Sequence, residues 1–458
     1  MVLYKTFRTA KNYYLYDTST NKVVNLYKKA YNYINNAKKG NEFKLEEKSI
    51  KEYDFFKSLM EREGILSNVE YKYRFPYDKE ELVYIYKNNV QNIILELTNS
   101  CNMRCKYCTF NNCYQDSPSY SSDRMSLDNV KKSIDFLFNN SSNNNLKVVS
   151  FFGGEPLLCY NMICSAIKYV KEKYKYNNIK YNITSNLTLL DDEMLEMFVK
   201  NKVYITASLD GPKDINDYNR VLLNGEGSFD IVFEKLMRIK KDYPDYYLTH
   251  TNVSAVLPSM KAFERVAPFF EELGLEVFFS DMVHGSTYPI DEYINFIDKK
   301  RTDYSFDEIK SIYFENLSNN VKIKAFSSFF KYNEAFKLNH QNNDKYCFPS
   351  GPCLPGLTRT FIQSDGTIYP CEKVNNGKSY YSIGDIVNGF DYTKLTKLIN
   401  MYRRIGNRCA SCWAINKCKK CWTTITEDDC EVQKRKVINN LVSSMEIYEN
   451  FPLAIENL

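Results

Sequence analysis

The stretch CNMRCKYC, residues 101–108, constrains this chain more than any other. Cys101, Cys105 and Cys108 leave three residues in the first gap and two in the second. A zinc knuckle or a redox dithiol normally uses the two-residue gap alone. Three thiolates in one short loop suit three corners of an iron–sulfur cube, leaving the fourth iron to a ligand that is not protein. The loop follows directly on NIILEL, an apolar run that reads as a strand.

The remaining thiols extend the same argument. Of 14 cysteines, three lie in 101–108 and eight in 347–430, whereas Cys113, Cys159 and Cys164 stand apart and read as ordinary buried thiols. The N-terminal MVLYKTFRTAKNYYLYD has no apolar core of a signal peptide, so a cytoplasmic protein is expected, with its clustered thiols on metal and not in disulfides. No apolar run reaches the length of a membrane helix, and no membrane partner is expected. A net charge of +5 spread over 458 residues gives no reason to expect nucleic acid.

The pattern along the chain predicts an α/β protein. Residues 1–90 read as a small module, with two strands around a polar turn at Asp17–Asn21 and helices in LYKKAYNYINNAKK and KEYDFFKSLMEREGIL. Residues 91–310 alternate short apolar runs (NIILEL, LKVVSFF, IKYNITSN, KVYITASLD, LTHTNVSAV, GLEVFFS) with helical stretches such as SLDNVKKSIDFLFN. Six such repeats predict a partial (β/α)6 barrel, with functional residues at the carboxyl ends of the strands. Residues 311–440 read as a helical bridge and a cysteine-dense segment stabilised by metal, and residues 441–458 as a terminal helix and tail.

Unusual residues do fall at the strand ends. FFGGEPLL places Gly153, Gly154 and Glu155 after a strand, where paired glycines allow close backbone approach. ITSN ends on Ser185 and Asn186, ITASLDGP carries Ser208 and Asp210, and DYNR supplies Arg220, a side chain suited to a carboxylate fork.

The cysteine loop, with Tyr107 before its third cysteine and the glycine pair downstream, resembles the signature of the radical S-adenosylmethionine (SAM) enzymes. The resemblance implies a [4Fe–4S] cluster on Cys101, Cys105 and Cys108, whose open iron SAM chelates before its cleavage to a 5′-deoxyadenosyl radical. It further implies SAM contacts from Tyr107, Gly153, Gly154, Glu155, Ser185, Asn186, Ser208, Asp210 and Arg220. Glu155 would receive the amino group, Ser185 and Asn186 the ribose, and Arg220 the carboxylate.

The later cysteines, with SDGTIYPCE at 364–372, resemble the SPASM extension of radical SAM enzymes that act on peptides and proteins. By that resemblance Cys347, Cys353, Cys371 and Cys421 would hold one auxiliary [4Fe–4S] cluster, and Cys409, Cys412, Cys418 and Cys430 a second. That makes three clusters with SAM. The gap from Cys418 to Cys421 is one residue shorter than usual in the family, and two zinc sites are the competing reading.

The N-terminal module resembles the winged-helix-like recognition element of peptide maturases, which implies a ribosomally made precursor peptide whose leader pairs with a strand edge. As a whole the chain looks most like the maturases that form thioether bonds in cysteine-rich peptides, of sactipeptide or ranthipeptide type. Ferredoxin or flavodoxin is the expected electron donor. Glu372, next to Cys371, is the expected base; Asp281 and His284 are weaker candidates. The alternatives are carbon–carbon crosslinking, epimerising or decarboxylating maturases, an anaerobic sulfatase-type oxidase producing formylglycine from serine or cysteine, and a non-enzymatic iron–sulfur peptide carrier.

Overall fold

The computed structural model describes residues 2–38, 58–68, 70–73, 77–111, 119–142, 145–175, 178–281, 287–299, 304–327, 330, 346–347, 353–374, 379–401, 406–421 and 427–456. Cys113 and His284 lie outside them, as do the side chains of Cys347 and Asp281.

The N-terminal module opens with an antiparallel meander of β1 (Tyr4–Arg8), β2 (Tyr13–Asp17) and β3 (Lys22–Leu26). Two of these strands were expected, flanking the polar turn. The turn forms because Asp17 Oδ2 accepts from the Thr20 amide and from the Ser19 and Thr20 hydroxyls, while Asn21 takes a positive φ of 55°. The third strand, β1, pairs along its whole length with β2. Helix Lys28–Lys38 follows, residues 58–62 are helical, and β4 (Lys72–Tyr73) and helix Lys79–Asn88 complete the described part of the module.

The central sheet arises from the predicted alternation. It contains β5 (Asn92–Glu96), β6 (Lys147–Phe152), β7 (Ile179–Ser185), β8 (Tyr204–Ser208), β9 (Thr251–Leu257) and β10 (Glu276–Asp281), each parallel to the next. LTH of the expected LTHTNVSAV strand instead closes the short helix Pro244–His250, because Pro244 starts that helix at its first position.

Along β6 to β9, buried residues alternate with half-buried ones, as a period of two requires. Val149, Phe151, Ile183, Ile205, Ala207, Val253 and Ala255 are buried, while the half-buried Ser150, Asn182, Thr184, Thr206, Ser208 and Ser254 give the opposite face a polar character. The crossover helices follow local rules. Helix Leu127–Asn139, for example, is capped by Ser126, whose Oγ accepts from the Asn129 amide, and it buries Val130, Ile134 and Leu137.

Beyond β10 come helices Ile290–Asp298 and Phe306–Ser318, then the cysteine-rich region with β11 (Tyr346–Cys347), β12 (Thr360–Ile362), β13 (Thr367–Tyr369), β14 (Gly384–Asp385) and β15 (Gly389–Phe390). This region does not stand apart from the barrel. β12 pairs parallel to β5, and β13, β14 and β15 follow antiparallel, so the sheet runs β10-β9-β8-β7-β6-β5-β12-β13-β14-β15. β11 pairs with β4 of the N-terminal module, Cys347 opposite Tyr73.

Helix Glu427–Asn450 runs unbroken through the boundary expected at residue 440. Its Val437, Leu441 and Met445 pack on Phe7, Tyr14 and Tyr16, each apolar burial contributing about 1.5–3 kcal/mol. Glu449 Oε1 accepts from Thr9, Asn12 and Tyr14 at 2.8, 2.9 and 2.6 Å. No helix among the described residues is long and apolar enough to cross a membrane.

Candidate active site

The cysteine loop leaves the end of β5 and is held along its backbone. The Arg104 and Lys106 amides donate to the carbonyls of Val221 and Asn219 at 2.8 and 3.0 Å, and the Arg104 guanidinium bonds the carbonyls of Cys101 and Met103. The Gly153–Glu155 turn docks from the other side. The Gly154 amide donates to Thr98 O at 2.8 Å and the Glu155 amide to Ser100 O at 2.9 Å. A Cβ on Gly153 or Gly154 would collide with those same two carbonyl oxygens, and Gly153 has a φ of 139°. The glycines are therefore required by the chain's own approach to the segment that carries Cys101.

Glu155 is buried, and its carboxylate ties the ends of β6 and β7 together. Oε1 accepts from Leu157 N at 3.0 Å and Ser185 Oγ at 2.7 Å, while Oε2 accepts from Asn186 N at 2.8 Å. Burial pushes its pKa up to about 7 against the opposing pull of those donors. Burial likewise pushes the Cys101 thiol up to about 11 and the Cys105 thiol to about 12, the nearby Arg220 charge working the other way at Cys105.

Arg220, Asp210 and Tyr107 form one buried knot beside Cys105. Asp210 Oδ1 accepts from Arg220 Nη2 and from the Val256 amide, each at 3.0 Å, and Oδ2 from the Tyr107 hydroxyl at 2.5 Å. The Arg220 guanidinium also lies over the Tyr107 ring at 5.5 Å. Tyr288 donates to Asn219 Oδ1 at 2.6 Å. Arg220 Nε and Asn219 Nδ2 are buried with no hydrogen-bond partner among the described residues, the kind of orphan donors that a bound polar molecule satisfies. Ser208 sits half-buried at the end of β8, opposite Ser254.

The later cysteines gather in two groups. Cys409, Cys412, Cys418 and Cys430 line a cavity of about 290 Å³ together with Arg408, Lys420 and Lys434. Cys353 and Cys421 both lie within electrostatic reach of Cys371, whose thiol burial raises to about 12. Glu372 is gripped by Arg359, with Nε to Oε2 at 3.0 Å and Nη2 to Oε1 at 2.5 Å. Nothing local in the sequence marks Arg359 as that partner, since the pair forms through the β12–β13 hairpin. Among the described residues no three His, Cys, Asp or Glu side chains converge on a point sized for one metal ion. Thiolate groups of three or four are the donor sets that iron–sulfur clusters and tetrahedral zinc sites share. Cys409 is buried, Cys101, Cys105, Cys108, Cys371, Cys412, Cys418 and Cys430 are half-buried, and Cys353 and Cys421 are exposed; all supply the soft sulfur donors a cluster needs.

Residues 95–266 match the model of the Radical SAM superfamily. The core is a radical SAM catalytic domain, and the protein is an enzyme. Its C-terminal cysteine-rich region matches a SPASM-like domain. A cysteine-type anaerobic sulfatase-maturating enzyme of Clostridium novyi is 24% identical over 368 residues, covering 78% of this chain and 92% of the relative. An uncharacterized protein of Methanocaldococcus jannaschii is 27% identical over 305 residues, covering 65% and 90%. The solved structure of native anSMEcpe with bound AdoMet superimposes with a TM-score of 0.60 at 19% identity, over 79% of this chain and all of that one.

Proposed function

We propose that this radical SAM enzyme oxidises a cysteine or serine side chain of a peptide or protein by two electrons, as an anaerobic sulfatase-type maturase. The observation that carries the reading is the fixed carboxylate of Glu372, adjacent to Cys371 and oriented by Arg359. The sulfatase-maturating relative, matched over 92% of its length, supports it.

Cys101, Cys105 and Cys108 would hold a cluster at which SAM would supply a carbon radical able to abstract hydrogen, and auxiliary clusters on the later cysteines would supply an electron acceptor. The chain's own residues do the rest. Gly153, Gly154 and the Thr98–Ser100 segment set the cysteine loop. Orphan donors on Asn219 and Arg220 await a polar ligand. Glu372 takes the thiol or hydroxyl proton, so that hydrogen atom, proton and electron together amount to two-electron oxidation. For cysteine, water then replaces sulfur, which leaves as sulfide, and the residue becomes formylglycine.

Thioether formation is the second reading, favoured by the N-terminal meander. The anSMEcpe match takes in all of that chain but 79% of this one, so part of this protein has no counterpart there. In the described residues β3 lies at the edge of its sheet, a position at which a leader strand adds by backbone hydrogen bonds. A precursor peptide with a leader, and ferredoxin or flavodoxin as donor, are the partners this reading entails.

Anaerobic incubation with SAM, a reductant and cysteine-bearing peptides decides among these readings by mass. Exchange of sulfur for oxygen with loss of two hydrogens marks formylglycine. Loss of two hydrogens per link, with thiols no longer alkylatable and no disulfide to reduce, marks a thioether. A Cys101→Ala/Cys105→Ala/Cys108→Ala variant that still forms 5′-deoxyadenosine would refute both.

A further inference from the structure

The ITSN motif contains a side chain whose hydrogen-bonding capacity is spent inside the protein. Asn186 is 7% exposed and follows β7. Its Oδ1 accepts from the Thr188 amide at 3.0 Å and from the Thr188 hydroxyl at 2.6 Å. A backbone N–H can only donate, so this contact settles which end of the Asn186 amide is oxygen. Nδ2 must then point the other way. It donates to Asn102 Oδ1 at 3.0 Å and to Cys101 Sγ at 3.9 Å. Asn102 Nδ2 donates in turn to the Thr188 hydroxyl at 2.7 Å. Asn186, Thr188 and Asn102 thus close a three-membered ring in which each side chain gives one hydrogen bond and takes one.

The ring has a direction, because the Thr188 amide forbids its reversal, and mutual polarisation strengthens a closed circuit of this kind. The second Asn186 amide hydrogen leaves the ring toward Cys101 Sγ. An amide offers two donors and an oxygen with two lone pairs. All are used here, and none remains for a ribose hydroxyl. The Met103 backbone amide, at 3.4 Å, is a second donor to the same sulfur.

We infer that Asn186 is a positioning residue for the cluster and not a nucleoside contact: locked by Thr188 and Asn102, its amide donates to the Cys101 thiolate and raises the reduction potential of the cluster that Cys101, Cys105 and Cys108 hold. The inference rests on the radical SAM reading of those cysteines. Its physical basis is general, since a donor to a ligating sulfur stabilises the added negative charge of the reduced cluster.

The test is an anaerobic redox titration followed by electron paramagnetic resonance on the fully loaded protein, paired with equilibrium SAM binding. Asn186→Asp keeps both Thr188 contacts but presents an acceptor to Cys101, so the midpoint of the SAM-binding cluster should fall while the auxiliary midpoints hold. Thr188→Val leaves Asn186 and the residue 188 backbone amide in place but opens the ring, and should lower the same midpoint by less. Should Asn186→Asp fail to load its cluster, Thr188→Val carries the test alone. An unchanged midpoint in Thr188→Val, or weakened SAM binding with an unchanged midpoint in Asn186→Asp, would overturn the inference. A parent protein that forms no cluster on the three cysteines would overturn the radical SAM reading with it, a result distinct from an unmoved midpoint.

Discussion

Replacing Asp210 by asparagine removes one charge from the knot beside the cysteine loop and little else. The Asp210 side chain is fully buried and that of its partner Arg220 is 9% exposed. Burial alone would lower the Arg220 pKa, yet the Asp210 carboxylate and its neighbours hold it above the ordinary value. An asparagine oxygen can still accept from Arg220 and Val256, and the Tyr107 hydroxyl can turn to accept from the new amide. The loss is therefore the compensation of a buried guanidinium. Breaking such a pair from one side costs about 3–5 kcal/mol. In a barrel of this size each kcal/mol lowers the melting midpoint by about 2–4 °C, so a fall of roughly 6–20 °C is expected. Thermal unfolding of the anaerobically purified protein, followed by circular dichroism, measures it. Asp210→Asn/Arg220→Met removes the stranded charge as well and should recover at least about 1 kcal/mol relative to the sum of the single losses. A single variant within about 1 kcal/mol of the parent, or a double variant no better than additive, would refute the account of Arg220 as a charge held by Asp210.

Three further perturbations test other parts of the molecule. Gly154→Ala places a methyl group against Ser100 O, and an overpacking cost of about 1–3 kcal/mol at this contact should weaken SAM binding by roughly 5- to 150-fold while auxiliary iron is retained; unaltered SAM affinity would contradict the close approach. Glu96 is buried, with its pKa pushed up to about 7 by burial, so between the unperturbed 4.5 and 7 the folded state holds a proton that the unfolded state has lost. Stability should fall by about 3 kcal/mol as pH rises through that window, and Glu96→Gln should flatten this part of the denaturation-versus-pH curve; an identical curve in the variant would refute it. Deleting residues 2–90 removes the β4 partner of the Cys347 strand and the Phe7, Tyr14 and Tyr16 packing under helix Glu427–Asn450, so auxiliary iron should fall along with any leader affinity; full iron content in the truncated protein would show that the module is dispensable to the cysteine-rich region.

Much of the fold was legible because it is written locally. The alternation of NIILEL, LKVVSFF and the later runs with amphipathic stretches demands parallel strands and crossover helices, and each expected strand formed within a few residues of its place. The cysteine loop and the glycine pair were equally plain, since their spacing serves chemistry within a dozen atoms of backbone. The N-terminal meander was half read: the polar turn after Asp17 announced two strands, whereas β1 carries no turn signal of comparable strength and forms through pairing with β2.

What the tertiary structure decided are the contacts between segments remote in sequence. Glu155 is expected to receive an ammonium group, and folding adds that its oxygens also hold Ser185 and Asn186 across 30 and 31 residues. Arg220 reads as a free fork, yet one arm is bound to Asp210, and its Nε is buried with no hydrogen-bond partner among the described residues. Arg359 carried no sign of its grip on Glu372, and nothing in TFI, residues 360–362, announced that β12 would extend the barrel sheet from β5. Residue type and spacing along the chain settle which atoms can bind iron, donate or ionise. Which of those atoms remain available depends on partners that only folding brings within 3 Å, because a hydrogen bond or an ion pair is decided by distance in space.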